Sequence, residues 1–196
     1  MKNIKFCKSG IVIFFAICLI ACGQKKSNSV IQEPSIADLI DTSKIAILPY
    51  DTINCRWFFE NCTQAELTYE NFVTIESILE ECIDNYNAAE EVRFKETCEK
   101  YPQYALNLRH SSIDLKKYWR QYIVVINQQG EKETFINFFC EPPEDIISDG
   151  DEYRFVPSNR WKTGLVEVLD GGNCFFQIKI NLSTKKWYDF GVNGVA

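Results

Sequence analysis

Apolar and polar positions change period several times along the chain, and each change marks an element. Ile11 to Ile20 (IVIFFAICLI) is an unbroken apolar run behind Lys2, Lys5 and Lys8, and Gln24 to Ile36 is mostly polar with one proline, as in a flexible tether. Ile45 to Leu48 is a short apolar run stopped by Pro49, which predicts an edge strand, and Trp57, Phe58 and Phe59 are expected in the core. From Thr68 the spacing becomes helical. The Thr68 hydroxyl can cap the first turn, and Glu70 suits its positive end. At 100° per residue, Phe72, Ile75, Ile78, Leu79, Cys82, Ile83 and Tyr86 share an arc of roughly 140°, with Glu80, Glu81 and Asp84 off it. Ala88 to Lys100 is charged and weakly periodic; it is read as further helix, limited by Pro102.

The second half changes to strand patterns. Tyr122 to Ile126 is β-branched and aromatic, Gln128-Gln129-Gly130 is a turn, and Thr134 to Phe139 resumes the apolar run, which predicts a β-hairpin. Glu141 to Asn159 carries Pro142, Pro143, Gly150 and Pro157 among six carboxylates and reads as a long acidic loop. Leu165 to Leu169 is the next predicted strand, followed by a turn at Asp170-Gly171-Gly172-Asn173. In Cys174 to Leu182, Cys174, Phe176, Ile178, Ile180 and Leu182 share one face, and Gln177, Lys179 and Asn181 take the other. Ser183-Thr184-Lys185 turns the chain into Trp187 to Val192, where Tyr188, Phe190 and Val192 are expected on one face, closing the sheet. The fold class that follows is α+β: an N-terminal helix or helices on one face of an antiparallel sheet of about four to five strands, with a cystatin-like wrap as one version.

The first apolar run is about half the length of a membrane-spanning helix and follows a basic start, the layout of a secretory signal. Leu19-Ile20-Ala21-Cys22 resembles a bacterial lipobox, which implies cleavage between Ala21 and Cys22 and acylation of Cys22. Acyl chains contribute about 0.8 kcal/mol per buried methylene, so two or three of them anchor a protein stably. The plainer alternative is an ordinary signal in which Cys22 is incidental. The expected organisation is a signal peptide over 1–21, a lipidated N-terminus and tether over 22–40, and one globular domain over 41–196. Membrane lipid is the expected partner at Cys22, and the cell envelope, with the outer membrane first, is the expected location.

The formal charge is −6, and residues 1–21 hold three lysines and no acid, so the cleaved chain of 175 residues stands near −9. That balance disfavours nucleic acid and anionic surfaces as partners. With Cys7 and Cys18 in the signal and Cys22 lipidated, Cys55, Cys62, Cys82, Cys98, Cys140 and Cys174 remain. An oxidising compartment permits up to three disulfides, in about 15 pairings. Spacing suggests Cys55 with Cys62 and Cys82 with Cys98, leaving Cys140 with Cys174; buried reduced thiols are the alternative. In a simple meander Cys140 and Cys174 would lie at opposite edges, and their pairing would require residues 141–163 to cross the sheet.

His110 is the single histidine and no C-x-x-C pair occurs, so neither a zinc site nor a Cys/His nucleophile is expected; a surface histidine is the plain reading. No G-x-S-x-G elbow or phosphate-binding loop is present in the sequence. Neighbouring carboxylates such as Glu80-Glu81 and Glu90-Glu91 diverge on a helix and read as a solvated face. Asp149-Gly150-Asp151-Glu152 could offer oxygen ligands to calcium but lacks the EF-hand spacing, and no cofactor or metal is expected. Trp119, Arg120 and Trp161 belong to aromatic and cationic runs of the kind enriched at binding hot spots, although Arg stacked on Trp at strand ends gives the same composition.

Ile47-Leu48-Pro49-Tyr50, Tyr118-Trp119-Arg120-Gln121-Tyr122, Asn137 to Cys140, Asp170-Gly171-Gly172-Asn173-Cys174 and Val192-Asn193-Gly194-Val195-Ala196 together resemble a group of uncharacterised Bacteroidota lipoproteins. The resemblance implies a diderm envelope and brings no catalytic residues with it. The expected function is a non-catalytic envelope module that binds a protein or peptide through loops or a sheet edge. A small-molecule or glycan binder with a pocket lined by Trp161 and Trp187 is the alternative, and an enzyme built on scattered carboxylates or on His110 with a cysteine is the third reading.

Overall fold

The computed structural model of the chain describes residues 35–51, 55, 57–103, 112–150 and 152–194. The signal, Ala21 and Cys22, most of the tether, His110 and Asp151 lie outside the described residues. Strand β1 (Ile45–Leu48) and the two-residue β2 (Thr63–Gln64) precede helix α1 (Tyr69–Lys100). Strands β3 (Trp119–Ile126), β4 (Lys132–Phe139), β5 (Glu144–Asp149), β6 (Glu152–Pro157), β7 (Phe175–Asn181) and β8 (Lys186–Val192) follow. The architecture is α+β, with one long helix and a mostly antiparallel six-stranded sheet. That sheet runs β1-β3-β4-β7-β8 with β2 also on β3, and β5-β6 form a separate two-stranded sheet. Only the β1–β3 pair is parallel, among the described residues.

Helix α1 begins where its capping chemistry places it. Thr68 Oγ1 accepts from the Asn71 amide at 3.3 Å while Asn71 Oδ1 accepts from the Thr68 amide at 3.2 Å, so two otherwise unpaired donors are satisfied reciprocally. The helix buries Phe72, Ile75, Ile78, Leu79, Cys82 and Ile83, the stripe expected from the sequence. It then continues unbroken through Ala88–Lys100 with no buried residue, supported by surface pairs Glu90–Arg93 and Glu91–Lys95. Pro102 follows the C-cap, Tyr101.

The stripe on α1 packs with Tyr122, Val124, Ile136, Phe138, Phe176, Ile178 and Ile180. The alternate side chains Ile123, Val125, Phe135 and Phe139 face a second cluster with Leu48, Phe59 and Trp161. Strands β3 and β4 are therefore covered on both faces, which is why they read as near-continuous apolar runs rather than as alternation. Gln121 and Asn137, paired across these strands, are the polar exceptions on the second face. Gln121 Nε2 donates to the Trp161 and Gly164 carbonyls at 2.6 and 2.7 Å, and its Oε1 accepts from the Val166 amide and from Asn137. Buried amides that replace a strand partner in this way fasten the loop over the sheet.

Four expectations are corrected. Residues 141–159 are not one long loop, because β5 and β6 form a hairpin inside them. Leu165–Leu169 is not a strand; Val166 is held by Gln121 and Asn137, the Val168 carbonyl accepts from Asn193, and Leu169 is exposed. β4 consequently pairs directly with β7, which brings Cys140 and Cys174 to adjacent strand ends, Cα atoms 5.0 Å apart, in a disulfide that needs no crossing of the sheet. Cys55, Cys62, Cys82 and Cys98 are free thiols. Cys82 and Cys98 sit sixteen residues apart on α1, about 24 Å along its axis, far beyond disulfide reach.

Two smaller departures concern aromatic residues. Trp57 is exposed, leaving Phe59 buried and Phe58 half-buried. In β8 the alternation breaks at Asp189, whose φ of 50° accompanies a register shift opposite Gln177–Lys179. The extra residue turns Tyr188 to the second face, where its hydroxyl donates to Glu133 at 3.0 Å, while Phe190 and Val192 stay against the helix side.

Candidate functional site

The three residues expected at an interaction site divide between the faces of the sheet. Arg120 is buried on the α1 side and pairs with Glu76 at 2.5 Å; it also donates to the Leu115 carbonyl at 3.2 Å and lies 5.4 Å over the Phe138 ring. Burial pushes the Glu76 carboxyl above its ordinary range, partly offset by Arg120. Trp119 and Trp161 meet on the opposite face at 4.9 Å, edge to face, and Trp161 is buried. Contacts within the chain account for the burial of Arg120 and Trp161, and Trp119 is half-buried. Trp187 stands on β8, half-exposed and 6.3 Å from Phe190, and does not share the pocket that Trp161 lines beside Arg160 and Asp145.

Two other places hold surface that packing does not explain. The first is the β5–β6 hairpin. Its register sets Ile146 opposite Phe155 and Ser148 opposite Tyr153, so these side chains share one face. Ile146 is 62%, Phe155 64% and Tyr153 73% exposed. The hairpin is fixed at its base: the Ser158 amide donates to the Pro143 carbonyl at 2.8 Å, Arg160 pairs with Asp145, and the Cys140–Cys174 bridge lies just before it. Gly150 at its tip has φ 68°, and Asp149 pairs with Arg154 at 3.3 Å. The acidic run considered for calcium is thus the tip of a hairpin, with Asp151 outside the described residues.

The second is a groove of about 520 Å³ between α1, residues 39–45 and the segment leading into β3. Asn87 holds that segment to the helix through two hydrogen bonds, donating to the Ile113 carbonyl at 2.9 Å and accepting from its amide at 2.8 Å. Tyr118, whose hydroxyl burial pushes up to about 12, and the Arg120–Glu76 pair form part of the lining. A smaller pocket of about 310 Å³ lies by Trp161, Arg160 and Asp145. Among the described residues no group of three or more His, Cys, Asp or Glu side chains is placed to hold a metal ion. Burial holds the free Cys82 thiol up to about 11, unsuited to nucleophilic work near neutral pH.

The sequence reading missed the hairpin face because acidic and turn residues dominate 141–159. The alternation was there: Ile146 and Ser148 before Gly150, Tyr153 and Phe155 after it. No family model, curated protein or solved structure matches the chain. Among the described residues, no helix is long and apolar enough to cross a membrane.

Proposed function

We propose that the protein is a lipid-anchored, non-catalytic envelope module that binds another protein through the β5–β6 hairpin. The observation that carries this reading is the exposed row Ile146, Phe155 and Tyr153 on a two-stranded sheet whose outer edges no described strand covers. Such an edge takes an extended segment by backbone hydrogen bonding, and the apolar row gives that segment's side chains a surface. Glu144 lies on the face of the row, Asp149 and Glu152 stand near the tip on the opposite face, and Arg154 is the hairpin's one cation among the described residues, so the occupant that fits is an extended basic segment of a partner protein. The same acidity disfavours a second copy of this chain and an anionic bilayer.

The anchor in this reading is acyl lipid on Cys22 after cleavage at Ala21, in the outer membrane of a diderm cell, as the lipobox and the resemblance to Bacteroidota lipoproteins suggest. A cystatin-like wrap of α1 over the sheet belongs to the same reading. Photo-crosslinking of the full chain in native envelopes, with the crosslinker at position 155 and a control at Glu81, tests it. Capture of one stoichiometric protein from position 155 alone supports the reading. Equal capture from both positions, or capture of lipid or of the chain itself, overturns it. Fractionation of Cys22→Ser beside the native chain tests the anchor, which is wrong if both partition alike.

A further inference from the structure

The groove beside α1 is a separate place from the hairpin, and the chemistry of its walls names a ligand class. We infer that it is a binding site for a small aliphatic amine, with the alkyl body against the apolar walls and the ammonium at the carboxylates of Glu80 and Asp84. Its volume of about 520 Å³ lies in the range that holds small molecules. Leu39, Ile40, Ile83, Ile113 and Leu115 give it apolar walls drawn from three parts of the chain.

Charge decides the sign of the ligand. The lining sets five carboxylates, Asp41, Glu76, Glu80, Asp84 and Asp114, against three cations, Lys44, Lys116 and Arg120; Arg120 is used by Glu76, and Lys44 keeps its charge while donating to the Lys116 carbonyl at 3.3 Å. Asp41 accepts from Ser43, and Asp114 lies 3.6 Å from Lys117. Glu80 and Asp84 remain, one helical turn apart on α1, and no described side chain pairs with either. Like charges at this spacing repel across about 6 Å. A cation seated between them relieves that repulsion, whereas an anion of the same shape would add to it. Lys116 is the exposed cation of the rim, and its flexible stem lets it swing into solvent.

Three probes of equal chain length separate charge from apolar burial: hexylamine, hexanol and hexanoate, titrated into the full chain and followed by amide chemical shifts. Hexylamine is expected to bind saturably and shift the Ile83 and Ile113 amides, with the other two weaker by about ten-fold or more. The double substitution Glu80→Gln with Asp84→Asn should remove that preference by a similar factor. Because both side chains are exposed, the melting temperature should hold or rise slightly as the repulsion is lost, which separates lost binding from lost folding. Equal binding of the three probes, no saturable hexylamine binding, shifts confined to another region, or full affinity in the folded double variant would each overturn the site.

Discussion

Strand β7 of the six-stranded sheet and the β5–β6 hairpin each carry a row of large apolar side chains along one face, and the two rows end in opposite environments. Phe138, Phe176 and Ile178 are fully enclosed between the sheet and α1, whereas Ile146, Tyr153 and Phe155 stand mostly in solvent. Both rows stand on paired strands; the difference is a second layer. A two-stranded ribbon has no core of its own and is marginal in water unless something packs on it. Here the base supplies what order there is, through the disulfide, the Ser158–Pro143 hydrogen bond and the Arg160–Asp145 pair. An apolar row on an element with no second layer contributes little to folding, which is the physical ground for assigning it to a partner.

The largest expected effect lies in the main sheet. Phe176 stacks on Phe138 at 4.1 Å, meets Tyr118 edge to face at 5.0 Å and is buried. Phe176→Ala removes that packing and leaves a cavity, and should cost about 3–5 kcal/mol in denaturant unfolding. A cost below about 1 kcal/mol would mean that the sheet is not packed as described and that the contrast with the hairpin is empty.

Next comes the bridge that joins the two regions. Cys140 and Cys174 are separated by 34 residues, a stretch that contains the entire hairpin. Replacing both by Ser frees a loop of that length in the unfolded chain, with an expected loss of about 3–4 kcal/mol on the chain-entropy account. Limited proteolysis should then cut within β5–β6 before any strand of the main sheet, because the hairpin loses part of its base. Cleavage that begins in β3 or β4 would show that the bridge secures the core and not the hairpin.

The regions also differ in how legible they were. The α1 stripe, the β3–β4 hairpin and the inward face of β7 could be read from the sequence because each repeats its period over several residues against one extensive core. Three features could not. The bulge at Asp189 depends on one residue's left-handed backbone, Leu165–Leu169 gave up strand pairing to the side-chain amides of Gln121 and Asn137, and β5–β6 mixes its apolar row with carboxylates and prolines. The aromatic and cationic runs around Trp119 and Trp161 were conspicuous in composition, yet the packing of the two faces consumed them. The groove was invisible for a related reason, since Glu80 and Asp84 have an ordinary helical spacing and its apolar walls come from distant segments.

The smallest expected effect tests the comparison most sharply. Ile146→Ser and Phe155→Ser replace large apolar side chains at exposed, cross-paired positions, so each should shift stability by no more than about 0.5 kcal/mol. Crosslinking from position 153, still on the same face, should nevertheless fall sharply in both variants if that row contacts a protein partner. The two readouts must separate for the assignment to hold. A stability loss of about 2 kcal/mol or more would mean that the row is enclosed within the folded chain, which would make the hairpin part of the core and leave the partner without a surface. Unchanged stability together with unchanged crosslinking would leave the second layer missing but show that the partner does not supply it.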